Sequence, residues 1–248
     1  MARIDGNKLE CLIEKCLNDF YESRLARLEE LKLKIILRRK NPYLFKALNT
    51  EKASDLVEQI LMAYISSSDE TMFGDKFFEP IAKQVSGGVV SPSEGVDIAV
   101  ETNDRYTAYA VKSGPNPFNS SAKKRQNDEF NELRNRLYKI RKEFDPVLAY
   151  SYGKKIIPPK KNKSYREIAG QAFWEELTGD SDFYIKLIRL MGDIPRKHME
   201  KYKPQLEHAV NRFTLEFTKD FCQKNGQIDW EKLVQLVSEK PKKLSKSR

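Results

Sequence analysis

The sequence predicts an α/β fold: a small mixed β-sheet flanked by helices, with a largely helical N-terminal segment and a helical C-terminal half. Three features predict it. From Val96 to Lys112, apolar and polar residues alternate on either side of Thr102-Asn103-Asp104-Arg105, the period-two pattern of a β-hairpin. Pro146 to Tyr152 is a further short apolar run and reads as another strand. Elsewhere apolar residues return every three or four positions, as on one face of a helix. Helices, hairpin, helix, strand and helices in that order make a sheet covered by helices.

Residues 8–39 read as one long helix or two. Leu9, Leu12, Ile13, Cys16, Leu17 and Phe20 form one stripe, and Leu25, Leu28, Leu31, Ile35 and Ile36 a second. The basic cluster Lys32, Lys34, Arg38, Arg39 and Lys40 suits a helix C-terminus, and Asn41-Pro42 stops the helix. A helix over 52–65 follows, with Leu56, Val57, Ile60, Leu61 and Tyr64 on its apolar side. Ser66 to Glu70 then offers N-caps for another helix. Within it, Pro80 has no amide proton, so it either kinks the helix or opens a new one after Glu79. Glu79 is a carboxylate among Phe77, Phe78 and Ile81.

In the hairpin, Asn103-Asp104 suits a two-residue turn, because both residue types tolerate positive φ. The numbers of paired residues then sum to 207, so Asp97 faces Ala110 and Lys112 is its diagonal neighbour. Diagonal Cβ atoms lie roughly 7–8 Å apart. A carboxylate and an ammonium therefore project from one face. A charged, solvated hairpin face is also ordinary, and spacing alone leaves both readings open.

Beyond the hairpin, a loop over 116–121 leads into a helix reaching Phe144. Its buried stripe is Phe130, Leu133, Leu137, Ile140 and Phe144, and Lys123, Lys124, Arg125 and other basic residues cover the remaining faces. Gly153 to Lys163 is a lysine-rich loop. Helices are predicted over 164–178, where Gly179 ends the first, then 181–191, 199–224 and 228–238.

Composition narrows the chemistry. The net charge is +9, which points to a polyanionic partner, nucleic acid before membrane. Removing the five basic residues of the tail from Lys240 to Arg248 still leaves +4. Two histidines, His198 and His208, stand far from the hairpin, which disfavours triad hydrolases and histidine-rich zinc sites. Three cysteines without a CxxC pair predict reduced thiols. No apolar run is long enough for a membrane span and no signal core opens the chain, so a cytoplasmic protein is expected. Any catalysis is expected to run on carboxylates, lysine and a hard cation.

With Asp97 and Ala110-Val111-Lys112 in order, the chain resembles the type II restriction endonucleases of the PD-(D/E)XK nuclease superfamily. NPYLFKAL (41–48), SSSDETMFGDKFFEPIA (66–82), VKSGPNPFNSS (111–121) and YREIAGQAFWEELTGDSDFY (165–184) are similar to segments of one subgroup. The resemblance implies a restriction-endonuclease-like core and Mg2+-assisted, site-specific cleavage of double-stranded DNA. It implies catalytic roles for Asp97, Lys112 and Glu79, with metal held by Asp97, Glu79 and the main-chain carbonyl of Val111. The motif departs from its commonest form at Ala110, where an acid is usual. Glu79 is the preferred replacement, Glu129 and Asp128 are the runners-up, and Asp75 is a longer shot. Lys123, Lys124, Arg125, Asn116 and Asn119 are the implied DNA contacts. A homodimer and a separately encoded DNA methyltransferase are the implied partners. The chain then divides into an N-terminal helical segment for dimer or DNA contact (1–40), a catalytic core (41–160), a helical region completing the fold (161–238) and a basic disordered tail (239–248). Two other readings remain: a non-cleaving DNA-binding relative, and a helical interaction protein with a decorative hairpin.

Overall fold

The structure, a computed structural model, describes residues 5–90, 93–115, 120–138, 142–161 and 163–240. It is mixed α/β, as predicted. The N-terminal helical stretch breaks into α1 (Gly6–Glu30) and α2 (Leu33–Leu37). α3 (Pro42–Ala47) begins on Asn41, whose side chain accepts hydrogen bonds from the Tyr43 and Leu44 amides. α4 (Ala53–Phe73) runs on well past residue 65. Ser66 to Glu70 therefore lie inside it rather than capping a new helix, because Ile65, Met72 and Phe73 carry the apolar spacing past the serines. α4 continues into a π-helical stretch (Gly74–Phe78) and then α5 (Glu79–Ser86), with Pro80 in its first turn. A proline ring clashes with the carbonyl four residues back in α geometry, and the wider π turn ahead of Pro80 accommodates it.

The sheet follows: β1 (Val89–Val90), β2 (Ile98–Glu101), β3 (Arg105–Lys112), β4 (Glu143–Tyr150), β5 (Ile156–Ile157) and β6 (Arg166–Ala169). Their spatial order is β1-β2-β3-β4-β6-β5. The central pairs β3–β4 and β4–β6 are parallel, and the outer pairs are antiparallel. α6 (Ser120–Leu137) crosses from β3 to β4. It ends before the predicted Phe144, which belongs to β4 and packs its ring near Tyr106 of β3. Pro146 sits within this central strand. Glu143 and Ser151 donate their amides toward β3, so alternation points the Pro146 nitrogen toward β6, which pairs with β4 only from Val147 on. The missing donor costs no ladder bond. The predicted helix over 164–178 is also corrected: its first part is β6, and α7 (Gln171–Thr178) begins after Gly170. α8 (Phe183–Met191), α9 (Ile194–Phe221) and α10 (Trp230–Ser238) complete the chain.

The chain forms two compact units, residues 1–22 with 70–196, and 23–69 with 197–248. The first contains the sheet and a hydrophobic layer on each of its faces. Tyr109 and Val111 of β3 join Ile13, Leu17, Phe77, Ile81, Phe173 and Trp174 in one layer. Ala108 and Ala110 point the other way, into a layer with Phe130 and Leu133 of α6, Tyr150 and Tyr165. The second unit is helical, with Leu28, Phe45, Leu56, Ile60, Phe213, Phe217 and Leu233 in its core. There Arg24 stacks on the Tyr202 ring at 3.7 Å and pairs with Asp69 at 2.8 Å. The three cysteines are free, and burial pushes the Cys16 thiol up to about 11, so it packs as an apolar residue. No helix of the described residues is long and apolar enough to cross a membrane.

Candidate active site

The hairpin has the predicted register. Ile98 pairs with Tyr109, and Glu101 with Tyr106. The turn closes differently from expectation, because neither Asn103 nor Asp104 has positive φ. Instead the Thr102 hydroxyl oxygen accepts the Arg105 amide at 3.1 Å, while the Thr102 amide donates to the Arg105 carbonyl at 2.8 Å. A side chain thus does what a mirror-image turn would have done.

At the other end of the hairpin, the Asp97 amide donates to the Tyr109 carbonyl at 2.9 Å. Its carboxylate Oδ2 accepts the Val111 amide at 2.7 Å and stands 3.6 Å from Lys112 Nζ. Asp97 therefore caps the ladder with one oxygen. Oδ1 makes no hydrogen bond among the described residues, and about a quarter of the side chain remains exposed. Ala110 is fully buried against the α6 layer and has no polar atom to offer the site.

Lys112 and Val111 line a cavity of about 650 Å3 at the C-terminal end of β3. Its other wall is the continuous α4–π–α5 helix, which contributes Glu70, Gly74, Asp75 and Glu79. Ser113, Gly114, Pro115 and Tyr152 complete it. The preferred second acid, Glu79, thus shares this cavity with Lys112. Its Oε1 is paired with Lys83 at 2.6 Å, and Oε2 has no hydrogen bond among the described residues. Asp75 reaches the same cavity. Asp128 and Glu129 line a separate one of about 430 Å3 with Ser93, Glu94 and Arg125. Glu129 nevertheless packs closely against Gly95, two residues before Asp97, while Arg125 Nε donates to it at 2.8 Å.

Sequence reasoning missed Glu70. In an unbroken α-helix the nine residues from Glu70 to Glu79 turn through roughly 900°, which sets the two on opposite faces. The π stretch acts as one inserted residue and takes back roughly 100°. Glu79 swings toward the cavity that Glu70 already faces. A Gly-Asp pair shortly before a proline inside a helical run was the available signal.

The donors suit a hard cation. Mg2+ is held through one or two carboxylates and keeps several waters, and among the described residues Asp97 and Glu79 each keep one oxygen without a hydrogen bond. Among the described residues no three His, Cys, Asp or Glu side chains form a ready-made metal cluster. Of the implied DNA contacts, Lys123 and Lys124 are exposed on α6. Arg125 is held by Glu94 at 2.6 Å and by Glu129. Asn116 and Asn119 lie outside the described residues.

The opposite end of the sheet carries a second set of charges. Arg166 of β6 donates to both oxygens of Asp145 at 2.8 and 2.7 Å and to both of Glu176 at 2.8 and 2.6 Å. Arg105 adds a bond to Asp145 at 2.6 Å, and the Tyr109 hydroxyl donates to Glu176 at 2.7 Å. Burial would raise the Asp145 carboxyl, but Arg166 and Arg105 outweigh it and hold the group below its ordinary range. Burial and the neighbouring Glu176 push the Tyr109 hydroxyl well up, so it stays a donor.

A family model described as type II restriction endonuclease EcoO109I matches residues 7–199. No curated protein matches the chain.

Proposed function

The chain belongs to the type II restriction endonuclease EcoO109I family, and from that membership we propose Mg2+-assisted, site-specific cleavage of double-stranded DNA at the Lys112 cavity. Double-stranded DNA is the substrate of a restriction endonuclease. The observation that carries the finer reading is local. Lys112, 3.6 Å from Asp97, lines the same cavity as Val111 and Glu79, so an ammonium and hard oxygen donors converge at a strand end.

Asp97 Oδ1, Glu79 and the Val111 carbonyl would hold the cation. Bound there, Mg2+ supplies positive charge against the charge developing on the phosphate oxygens and makes water more acidic. Lys112 orients the attacking water or donates to a phosphate oxygen as the water oxygen bonds to phosphorus and the bridging P–O bond breaks. Val111 fixes Asp97 by its amide, which keeps the carboxylate at the hairpin end with or without substrate. Lys123 and Lys124 are the proposed phosphate contacts on α6. A two-fold homodimer would match a palindromic target, with one site for each strand. A separately encoded methyltransferase would protect the host sequence, and both enzymes would work in the cytoplasm.

The test is digestion of plasmid DNA by the purified protein in Mg2+, with an EDTA control and sequencing of the product ends. Ends flanked by one recurring sequence are expected, with none in EDTA. Random ends, or intact plasmid at stoichiometric protein, would sink the proposal.

A further inference from the structure

We propose that Glu70 is a positioning residue that ties the loop after Lys112 to the helix bearing Glu79, and so sets where the Lys112 ammonium sits in the cavity. The inference rests on the proposed role of Lys112. Glu70 Oε1 accepts two hydrogen bonds, from the Ser113 hydroxyl at 3.1 Å and from the Tyr152 hydroxyl at 2.9 Å. Ser113 follows Lys112 directly, and Tyr152 follows β4, the strand parallel to β3. One carboxylate oxygen thus joins α4, the end of β3 and the end of β4.

Two close approaches support the same tie. A Cβ at Gly114 would lie 2.3 Å from the Tyr152 hydroxyl oxygen, so the loop lies directly against the end of the Tyr152 side chain. A Cβ at Gly74 would stand 3.1 Å from the Ser113 Cβ, so the π stretch also meets the loop closely. The hydrogen bond to Glu70 raises the Tyr152 hydroxyl above its ordinary value, which keeps it a donor. From the far side, Trp174 fixes the chain just before Tyr152, its indole nitrogen donating to the Ser151 carbonyl at 2.8 Å. The Lys155 ammonium also bonds the Pro115 carbonyl. Held from both sides, the loop leaves Lys112 little freedom to drift. A displacement of about 1 Å at a reacting group costs on the order of 100-fold in rate.

The test separates position from charge, because a glutamine keeps the accepting oxygen and loses the charge. E70A is expected to lower the single-turnover cleavage rate by roughly 10- to 100-fold. DNA affinity in Ca2+, the Mg2+ requirement and the circular dichroism spectrum should stay at wild-type values. E70Q is expected to recover the rate to within about threefold. S113A and Y152F should each lose roughly fivefold, the size of one hydrogen bond, and add nothing in the E70A background. These two single variants carry the test should E70A not fold. Wild-type cleavage by folded E70A, or by both S113A and Y152F, would overturn the inference. So would an E70Q rate as low as that of E70A with a raised Mg2+ requirement, which would make Glu70 a charged ligand. A K112A protein that cleaves as fast as wild type would instead remove the reading of the site itself, whatever Glu70 does.

Discussion

The two ends of the sheet use the same residue types to opposite effect. At the N-terminal ends of β3, β4 and β6, all four carboxylate oxygens of Asp145 and Glu176 accept from Arg166, with Arg105 and Tyr109 adding further bonds. At the C-terminal end of β3, Asp97 and Glu79 each commit one oxygen and leave the other without a hydrogen bond among the described residues, and Lys112 stands 3.6 Å from Asp97. A closed network is saturated and can only hold the fold. An unsaturated one beside a cavity can still take a cation, a water or a phosphate. Saturation, more than charge, separates the carboxylates that hold the fold from those proposed to react.

The sharpest break of that comparison is Lys112→Ala. Cleavage should fall by about 1,000-fold or more, the scale of losing a group that acts on transition-state charge. Stability should change by less than about 1 kcal/mol, because the pair with Asp97 is partly exposed. Single-turnover kinetics beside urea unfolding measures both. A large loss of stability with cleavage retained would reverse the roles of the two ends.

Arg166→Ala is the mirror experiment. It leaves the buried Asp145 carboxylate and the half-buried Glu176 without their bidentate partner, which costs about 3 kcal/mol. The protein should therefore unfold at clearly lower urea, while its surviving folded fraction cleaves normally. The pH dependence has a definite sign. Asp145 is held below its ordinary 3.8, so its contribution is fully present above that pH and is lost as pH falls through the lower folded value. In Arg166→Ala the burial effect loses its main opponent, and the folded-state value rises toward or past the ordinary one. The stability that Asp145 loses on acidification then shrinks, so the acid limb of stability against pH should be shallower than in wild type. An unmoved acid limb would show that Arg105 alone sustains Asp145.

How far the sequence revealed these two ends differs for physical reasons. The hairpin was legible to the residue, because alternation on both strands and a short turn fix the register to one choice. Asp97 and Lys112 followed from it. Glu79 stood out as an acid among aromatic residues before a proline. The opposite network was not legible. Phe144 fits an i, i+4 helical step from Ile140 as well as it fits a strand, which hid the start of β4 and with it Asp145. β6 spans four residues next to α7, and so short a strand is absorbed into a helical reading, which hid Arg166. Glu70 escaped because the phase of α4 shifts in the π stretch, and a wall assembled through such a shift leaves no periodic trace.

The smallest expected effect bears on which acid, if the proposed cation site is right, takes the place of the one absent at Ala110. Glu79→Gln keeps the side chain's size and its neighbour Lys83 but loses the charge, and cleavage should fall roughly 30-fold, near 2 kcal/mol of transition-state stabilisation. Its Mg2+ requirement should rise, and Ca2+-supported DNA binding should weaken in parallel. Glu129→Gln should leave cleavage within about threefold of wild type. It loosens only the pair with Arg125, whose own side chain is exposed. The contrast is demanding because both acids have a claim. Glu79 shares a cavity with Lys112, whereas Glu129 packs against Gly95 beside Asp97 and lies on the α6 face toward which Ala110 points. If Glu129→Gln is the dead variant and Glu79→Gln the mild one, the cation sits on the α6 side of the hairpin. Arg125 would then be the residue that must yield Glu129 before a cation binds, and Arg125→Ala should lower the Mg2+ requirement instead of leaving it unchanged.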